Sequence, residues 1–258
     1  MTLVDSHVHL DHEQFHEDLD ALIDRAHQQG VTRMLTIGTG DGPPKLDCAI
    51  EIAMKYGGVY ATVGVHPHEA AKADGKTFDN LRALMKEPKV LAFGEIGLDY
   101  HYNFSPPEVQ REVFIEQLRI ALGSGKPVII HTREAWADTL EILRKEWSGP
   151  GIMHCFTGDE AQAREALDLD FHLSFGGVLT FKTAENVRQA AAIVPEDRLL
   201  VETDAPYLSP EPVRKVKLNE PAHVAHTARF LATLRNVSFE TLAAQTTQNV
   251  TRLFRLPA

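Results

Sequence analysis

Short apolar runs recur along the chain at Leu3–Val8, Arg33–Ile37, Val59–Val65, Val90–Phe93, Pro127–Ile130, Gly151–Met153, Phe171–Ser174 and Arg198–Val201. Each is strand-sized and rich in β-formers. Amphipathic stretches lie between them, among them Asp18–Gln29, Pro107–Leu122, Ala135–Trp147 and Glu185–Val194. In Pro107–Leu122 the apolar residues Val109, Val113, Leu118 and Leu122 fall on one helical face, with Ser105 expected as the N-cap and prolines in the first turn. About eight strands alternating with helices predict an α/β fold, a (β/α)8 TIM-type barrel, which Pro221–Leu256 closes with helices. A doubly wound open sheet would place a Gly-rich phosphate loop after the first strand, where this chain carries SHVHLDH. Without repeats, low-complexity segments or a flexible linker, residues 1–258 read as a single domain.

Composition narrows the picture. A hydrophobic content of 43% fits an ordinary globular protein. No apolar run approaches the roughly 20 residues that span a bilayer, and the N-terminus carries no secretory pattern. Two cysteines, Cys48 and Cys155, make no disulfide framework, so a reducing cytoplasm is the expected compartment. A net charge of −10 argues against general nucleic-acid binding. A local basic patch or bound cations can still reverse the field at one site.

The thirteen histidines carry the chemistry. His7 and His9 lie two apart at the end of the first run, so a strand points both rings to one face. In a parallel barrel the active site forms where strands end. The third run ends on His66 and His68, the fourth on Glu95 and Asp99, the fifth on His131, Arg133 and Glu134. The sixth ends on His154 and the eighth on Glu202 and Asp204. Singly, His131 or His154 reads as a satisfied core histidine and Asp204 as a cap. Together, four imidazoles and two carboxylates in one ring are a ligand set for divalent metal, sized for two ions rather than one. His12, His16, His27, His101, His172, His223 and His226 fall off the pattern and read as surface or capping residues. Cys155 reads as a small buried apolar residue.

The segments VDSHVHLD, GVHPH, GEIGLDY with SPPEVQREVF, VIIHTREA, MHCFTG and ETDAPYLSP with NEPAHV resemble, in order and over the whole chain, the TatD-type deoxyribonuclease family, a branch of the amidohydrolase-like barrels. The resemblance implies a TIM-type barrel and a metal-dependent hydrolase, several relatives being nucleases that remove nucleotides from DNA ends. It implies that His7, His9 and Asp204 hold one ion, that His131 and His154 hold a second, and that Glu95 bridges them. The ions would be Zn, Mg or Mn. Before NEP this chain reads VRKVKL, without the glycine that relatives usually carry there.

The expected reaction is phosphodiester hydrolysis by metal-activated water, with Asp204, Glu95 and His66 as the catalytic groups. His66 either touches the scissile phosphate or orients a ligand. Arg133 would offset phosphate charge, and the basic loop Arg214, Lys215 and Lys217 either tracks a DNA backbone or is a solvated surface. The expected substrate is single-stranded DNA or DNA ends, and a monomer is the default. The alternative keeps the barrel but changes the substrate to a small-molecule lactone, amide or ester, or an aminoacyl-tRNA ester. Many small-molecule hydrolases of this type bridge their metals with a modified lysine, and GEIGLDY has none.

Overall fold

Every residue of Leu3–Val8 is buried, as a strand covered on both faces must be. The computed structural model describes residues 2–256 and places eight strands in one sheet, in sequence order. They are β1 (Leu3–Val8), β2 (Val31–Thr36), β3 (Val59–Val63), β4 (Val90–Asp99), β5 (Val128–Arg133), β6 (Gly151–Met153), β7 (Phe171–Phe175) and β8 (Leu199–Val201). The helices are α1 (Leu19–Gln28), α2 (Cys48–Lys55), α3 (Gly75–Leu84), α4 (Pro107–Ser124), α5 (Trp136–Glu146), α6 (Glu160–Asp168), α7 (Glu185–Ile193), α8 (Val224–Leu234) and α9 (Phe239–Leu253). This is the predicted (β/α)8 class. No helix among the described residues is long and apolar enough to cross a membrane.

The chain divides into two compact units, Met1–Leu35 with His154–Ala258, and Thr36–Met153. In the first, α9 packs on β1 and β8, and α6 on β7. The last strand returns to the first. The Asp204 N–H donates to the His7 carbonyl at 3.0 Å, and the His9 N–H to the Ala205 carbonyl at 2.9 Å. In the second unit β3 to β6 pair in parallel, with α2 on β3 and α4 on β4.

Three expectations need correction. The fourth strand runs on past Phe93 to Asp99, with Gly97 in register with His131. Ser105 does not cap α4: the N-cap position is Pro106, without a side-chain cap. The Ser105 hydroxyl instead donates to the His68 carbonyl at 2.8 Å and accepts from the Ala71 N–H at 2.9 Å. His172 is no surface histidine. It is 6% exposed on β7, and neither ring nitrogen has a hydrogen-bond partner among the described residues.

Burial lowers the His172 pKa to about 4, and the nearby Arg198 adds to the effect. A base whose folded pKa lies below its unfolded value contributes full stability above pH 6.5 and loses it as pH falls toward 4. His172→Leu is therefore expected to flatten the acid limb of a urea-stability profile between pH 6.5 and 4, by up to about 3 kcal/mol. Identical slopes in the two proteins would refute this.

Candidate metal centre

The register of β4 on β5 builds the first cluster. Glu95, Gly97 and Asp99 alternate onto one face, and Gly97 lies opposite His131. With no side chain between the two carboxylates, the imidazole of His131 fits into the gap. Its Nδ1 is 2.7 Å from Glu95 Oε1 and its Nε2 is 3.1 Å from Asp99 Oδ2. His66, at the start of the turn Pro67–Lys72, brings its Nε2 to 3.6 Å from the same Glu95 oxygen. One ligand atom each from His66, Glu95 and His131 lies within 4.8 Å of the others.

Asp99 orients this cluster. Its Oδ2 faces His68 Nε2 at 2.8 Å as well as His131, while its Oδ1 accepts the N–H groups of His101 and Tyr102 at 3.0 Å. Burial alone would raise the Asp99 pKa, but the hydrogen bonds from His131 and His68 hold it well below the usual carboxylate range. A carboxylate on one imidazole nitrogen fixes the tautomer and turns the other nitrogen toward a metal. Burial is also the main cause of the His66 pKa falling to about 4, so this ring is neutral and able to ligate at pH 7.

The second cluster grows from β1 and the chain after β6 and β8. His7 is fully buried, and its ring stacks on His154 with centroids 3.9 Å apart. His7, His154 and Glu202 offer ligand atoms within 4.8 Å of one another. Glu202 is fully buried. Its Oε1 accepts the Cys155 N–H at 2.5 Å, and its Oε2 has no hydrogen-bond partner among the described residues. Asp204 adopts a positive φ of 56°, a conformation Asp tolerates better than most residues. Its Oδ1 lies 3.7 Å from His7 Nε2 and 3.5 Å from His9 Nε2. Burial opposes ionisation of Asp204, yet its bond with His9 and the nearby imidazoles lower its pKa.

Two residues beneath this cluster were not legible as site residues. Asp5 accepts the Thr203 N–H at 2.9 Å, the Thr203 hydroxyl at 2.5 Å and the His7 N–H at 3.3 Å. It therefore ties β1 to the segment that carries Asp204, and burial pushes its carboxyl up to about 8. Asn219 donates to the carbonyls of Thr203 and Tyr207 and accepts from the Glu220 N–H. In the sequence Asp5 passed as part of an apolar strand; its cue is a carboxylate two residues before His7. The expectation for Cys155 is corrected as well, because it is half-buried in the turn after β6, with a φ of 41°.

The structure fits metal ions at these clusters. A buried carboxylate oxygen without a partner, converging ligand atoms and a neutral imidazole are what a divalent cation would satisfy. The predicted substrate contacts are less uniform. Arg133 ends β5 with its guanidinium 4.7 Å from the Tyr102 ring centroid. Arg214 lies over the Phe181 ring, and Lys215 and Lys217 are exposed beside it.

Residues 4–255 match the model of a family described as TatD related DNase. An uncharacterized metal-dependent hydrolase of Bacillus subtilis, YabD, is 41% identical over 98% of this chain and 99% of its own length. A protein of Cronobacter turicensis named 3′-5′ ssDNA/RNA exonuclease TatD is 41% identical, covering 93% of each chain. The crystal structure of an Escherichia coli TatD homologue, YjjV, superposes with a TM-score of 0.92 at 28% identity, over 99% of this chain and 98% of that one.

Proposed function

The chain belongs to the TatD-related DNase family of metal-dependent hydrolases, and we propose that it is a two-metal exonuclease that removes nucleotides from the 3′ end of single-stranded DNA. The observation that carries the reading is the pair of His–carboxylate clusters, each converging three ligand atoms within 4.8 Å. The family resemblance implies that His7, His9 and Asp204 would hold one ion and His131 and His154 the other, with Glu95 shared, whereas in this structure the His154 ring stacks on His7 with centroids 3.9 Å apart. Zn, Mn and Mg are the candidate ions. When bound, they polarise a phosphate oxygen and make water acidic enough to attack at neutral pH.

The chain's own groups do the rest. Asp204 is ionised at pH 7, and one of its oxygens accepts the proton that the attacking water gives up. His66 sits beside Glu95, where its Nε2 touches the leaving oxygen or the phosphate. Asp99 holds His131 and His68 in place. Arg133 meets the charge that develops on the phosphate. Arg214, Lys215 and Lys217 track the DNA backbone, and neutralising all three is expected to flatten the salt dependence of binding. An unchanged slope would leave them as plain surface.

The deciding experiment uses 5′-end-labelled single-stranded DNA and chelator-treated protein, restored with Mg, Mn or Zn. The expected result is a ladder shortening one nucleotide at a time, dependent on metal and absent in a His7→Ala/His9→Ala variant. A folded protein that binds two ions but leaves the DNA intact with every metal would refute the nuclease. It would favour hydrolysis of a small-molecule or aminoacyl-tRNA ester instead.

A further inference from the structure

The connection from β4 to α4 carries two large exposed rings, Tyr102 at 47% and Phe104 at 66% exposure. Single exposed apolar residues are ordinary on a protein surface. These two are not scattered. Their planes lie within 6° of parallel with centroids 5.4 Å apart. The Arg133 guanidinium lies over Tyr102, and His68 packs edge-on against both rings, at 5.5 Å and 4.9 Å. The His68 ring is in turn 4.3 Å from that of His66. The stacked pair is thus continuous with the cluster of His66, Glu95 and His131.

The loop is also held in place. Asp99 accepts the N–H groups of His101 and Tyr102. Gln110 Nε2 donates to the carbonyls of Asp99 and Ser105, at 2.9 Å and 2.8 Å. Ser105 is bonded to His68 and Ala71. Rings fixed in advance lose little entropy when a flat ligand settles on them.

We propose that Tyr102 and Phe104 form a stacking platform for the nucleobase adjacent to the phosphate that is cleaved, with Arg133 joining the platform to that phosphate. The inference rests on the nuclease reading above. Aromatic rings accept any base, because every base has a π-face, and stacking contributes about 1–3 kcal/mol per base. A base inside a duplex already has both faces covered. The platform therefore gives the enzyme a preference for unpaired ends without a preference for sequence.

Two measurements test this on the full chain. In the first, short single strands carrying either a normal base or an abasic spacer at the reacting end are cleaved by three metal-loaded proteins. These are wild type, Tyr102→Ala/Phe104→Ala and Tyr102→Phe/Phe104→Tyr. Removing the base or removing the rings is expected to raise KM about tenfold or more. Doing both should add little, with kcat and metal content near wild type, and the aromatic-for-aromatic exchange should keep the wild-type KM. Equal KM values for normal and abasic strands in wild type would overturn the proposal, as would multiplying effects. The second measurement needs no turnover. An oligonucleotide ending in 2-aminopurine is titrated with chelator-treated protein, and stacking is read as quenching that the double alanine variant loses. Quenching without cleavage by any metal-loaded protein would keep the platform and sink the nuclease. Cleavage without quenching would do the reverse.

Discussion

Replacing Glu95 by alanine is expected to leave the chain short of at least one bound ion and to abolish hydrolysis. Glu95 is 3% exposed, and its Oε1 faces His131 Nδ1 at 2.7 Å and His66 Nε2 at 3.6 Å. One carboxylate oxygen of Glu95 thus faces both rings. Without it, the cluster keeps its imidazoles but loses the anion that offsets a cation's charge. Groups that merely support a metal ligand change affinity or activity by roughly 10–100-fold when removed. A bridging ligand should exceed that range. Metal content by elemental analysis and rate on end-labelled DNA would be measured on the same sample, with circular dichroism to show that it is folded. Two ions per chain and an undiminished rate would refute the proposed bridging role.

The largest effect on stability is expected at Gly97. A Cβ there would stand 1.9 Å from the His131 carbonyl oxygen, which is backbone and cannot swing aside, and the φ of 144° is one that side chains rarely adopt. Gly97→Ala must push β4 and β5 apart or twist the strand. Either response breaks the ladder that sets His131 between its two carboxylates. The expected loss is about 4 kcal/mol or more, in the range reserved for severe core damage. Gly123→Ala is the control. It lies inside α4, a Cβ there meets nothing within 4 Å, and alanine should add about 0.5–1 kcal/mol of helix stability. Urea midpoints decide the matter, and a Gly97→Ala protein as stable as wild type would mean that the strands are less tightly coupled than described.

Gly97 also shows why the sequence revealed some features and hid others. Strands β1 and β6 fall where the runs begin and end, because strands buried on both faces are edged by apolar residues, while the polar Asp5 and Ser6 of β1 stay inside on buried hydrogen bonds. β4 looked finished at Phe93, since glycines normally interrupt strands. Here the glycine is what lets two backbones approach. Helices α2, α3 and α6 were not singled out. α3 and α6 open on capping boxes, Asp74 with Thr77 and Asp159 with Gln162, yet bury few apolar residues and so lack a strong stripe. The candidate ligands were legible because His and acidic residues at successive strand ends have one obvious joint use. Asp5, Asp99 and Asn219 were harder to see, since their roles come from partners up to 198 residues distant. His172 misled because a buried histidine without a partner is rare, and its sequence neighbours do not distinguish it.

Asn219 has a consequence for how such an enzyme changes over generations. Its N–H meets the carbonyl of Pro206 at 3.0 Å, and its side chain reaches Thr203 and Tyr207. The segment from Tyr207 to Leu218 is therefore an excursion whose two ends are pinned together at its base. Rewriting its exposed outer part, Arg214 to Lys217, alters what projects into solvent and leaves in place the Tyr207 N–H that meets the Asp204 carbonyl at 2.9 Å. Loop closure entropy grows slowly with length, so insertions there carry a small penalty. The basic stretch VRKVKL occupies this excursion. Selection can diversify this surface while the backbone around Asp204 stays unchanged, and if the loop tracks DNA as proposed, exchanging Arg214 to Lys217 is the natural route to a new preference.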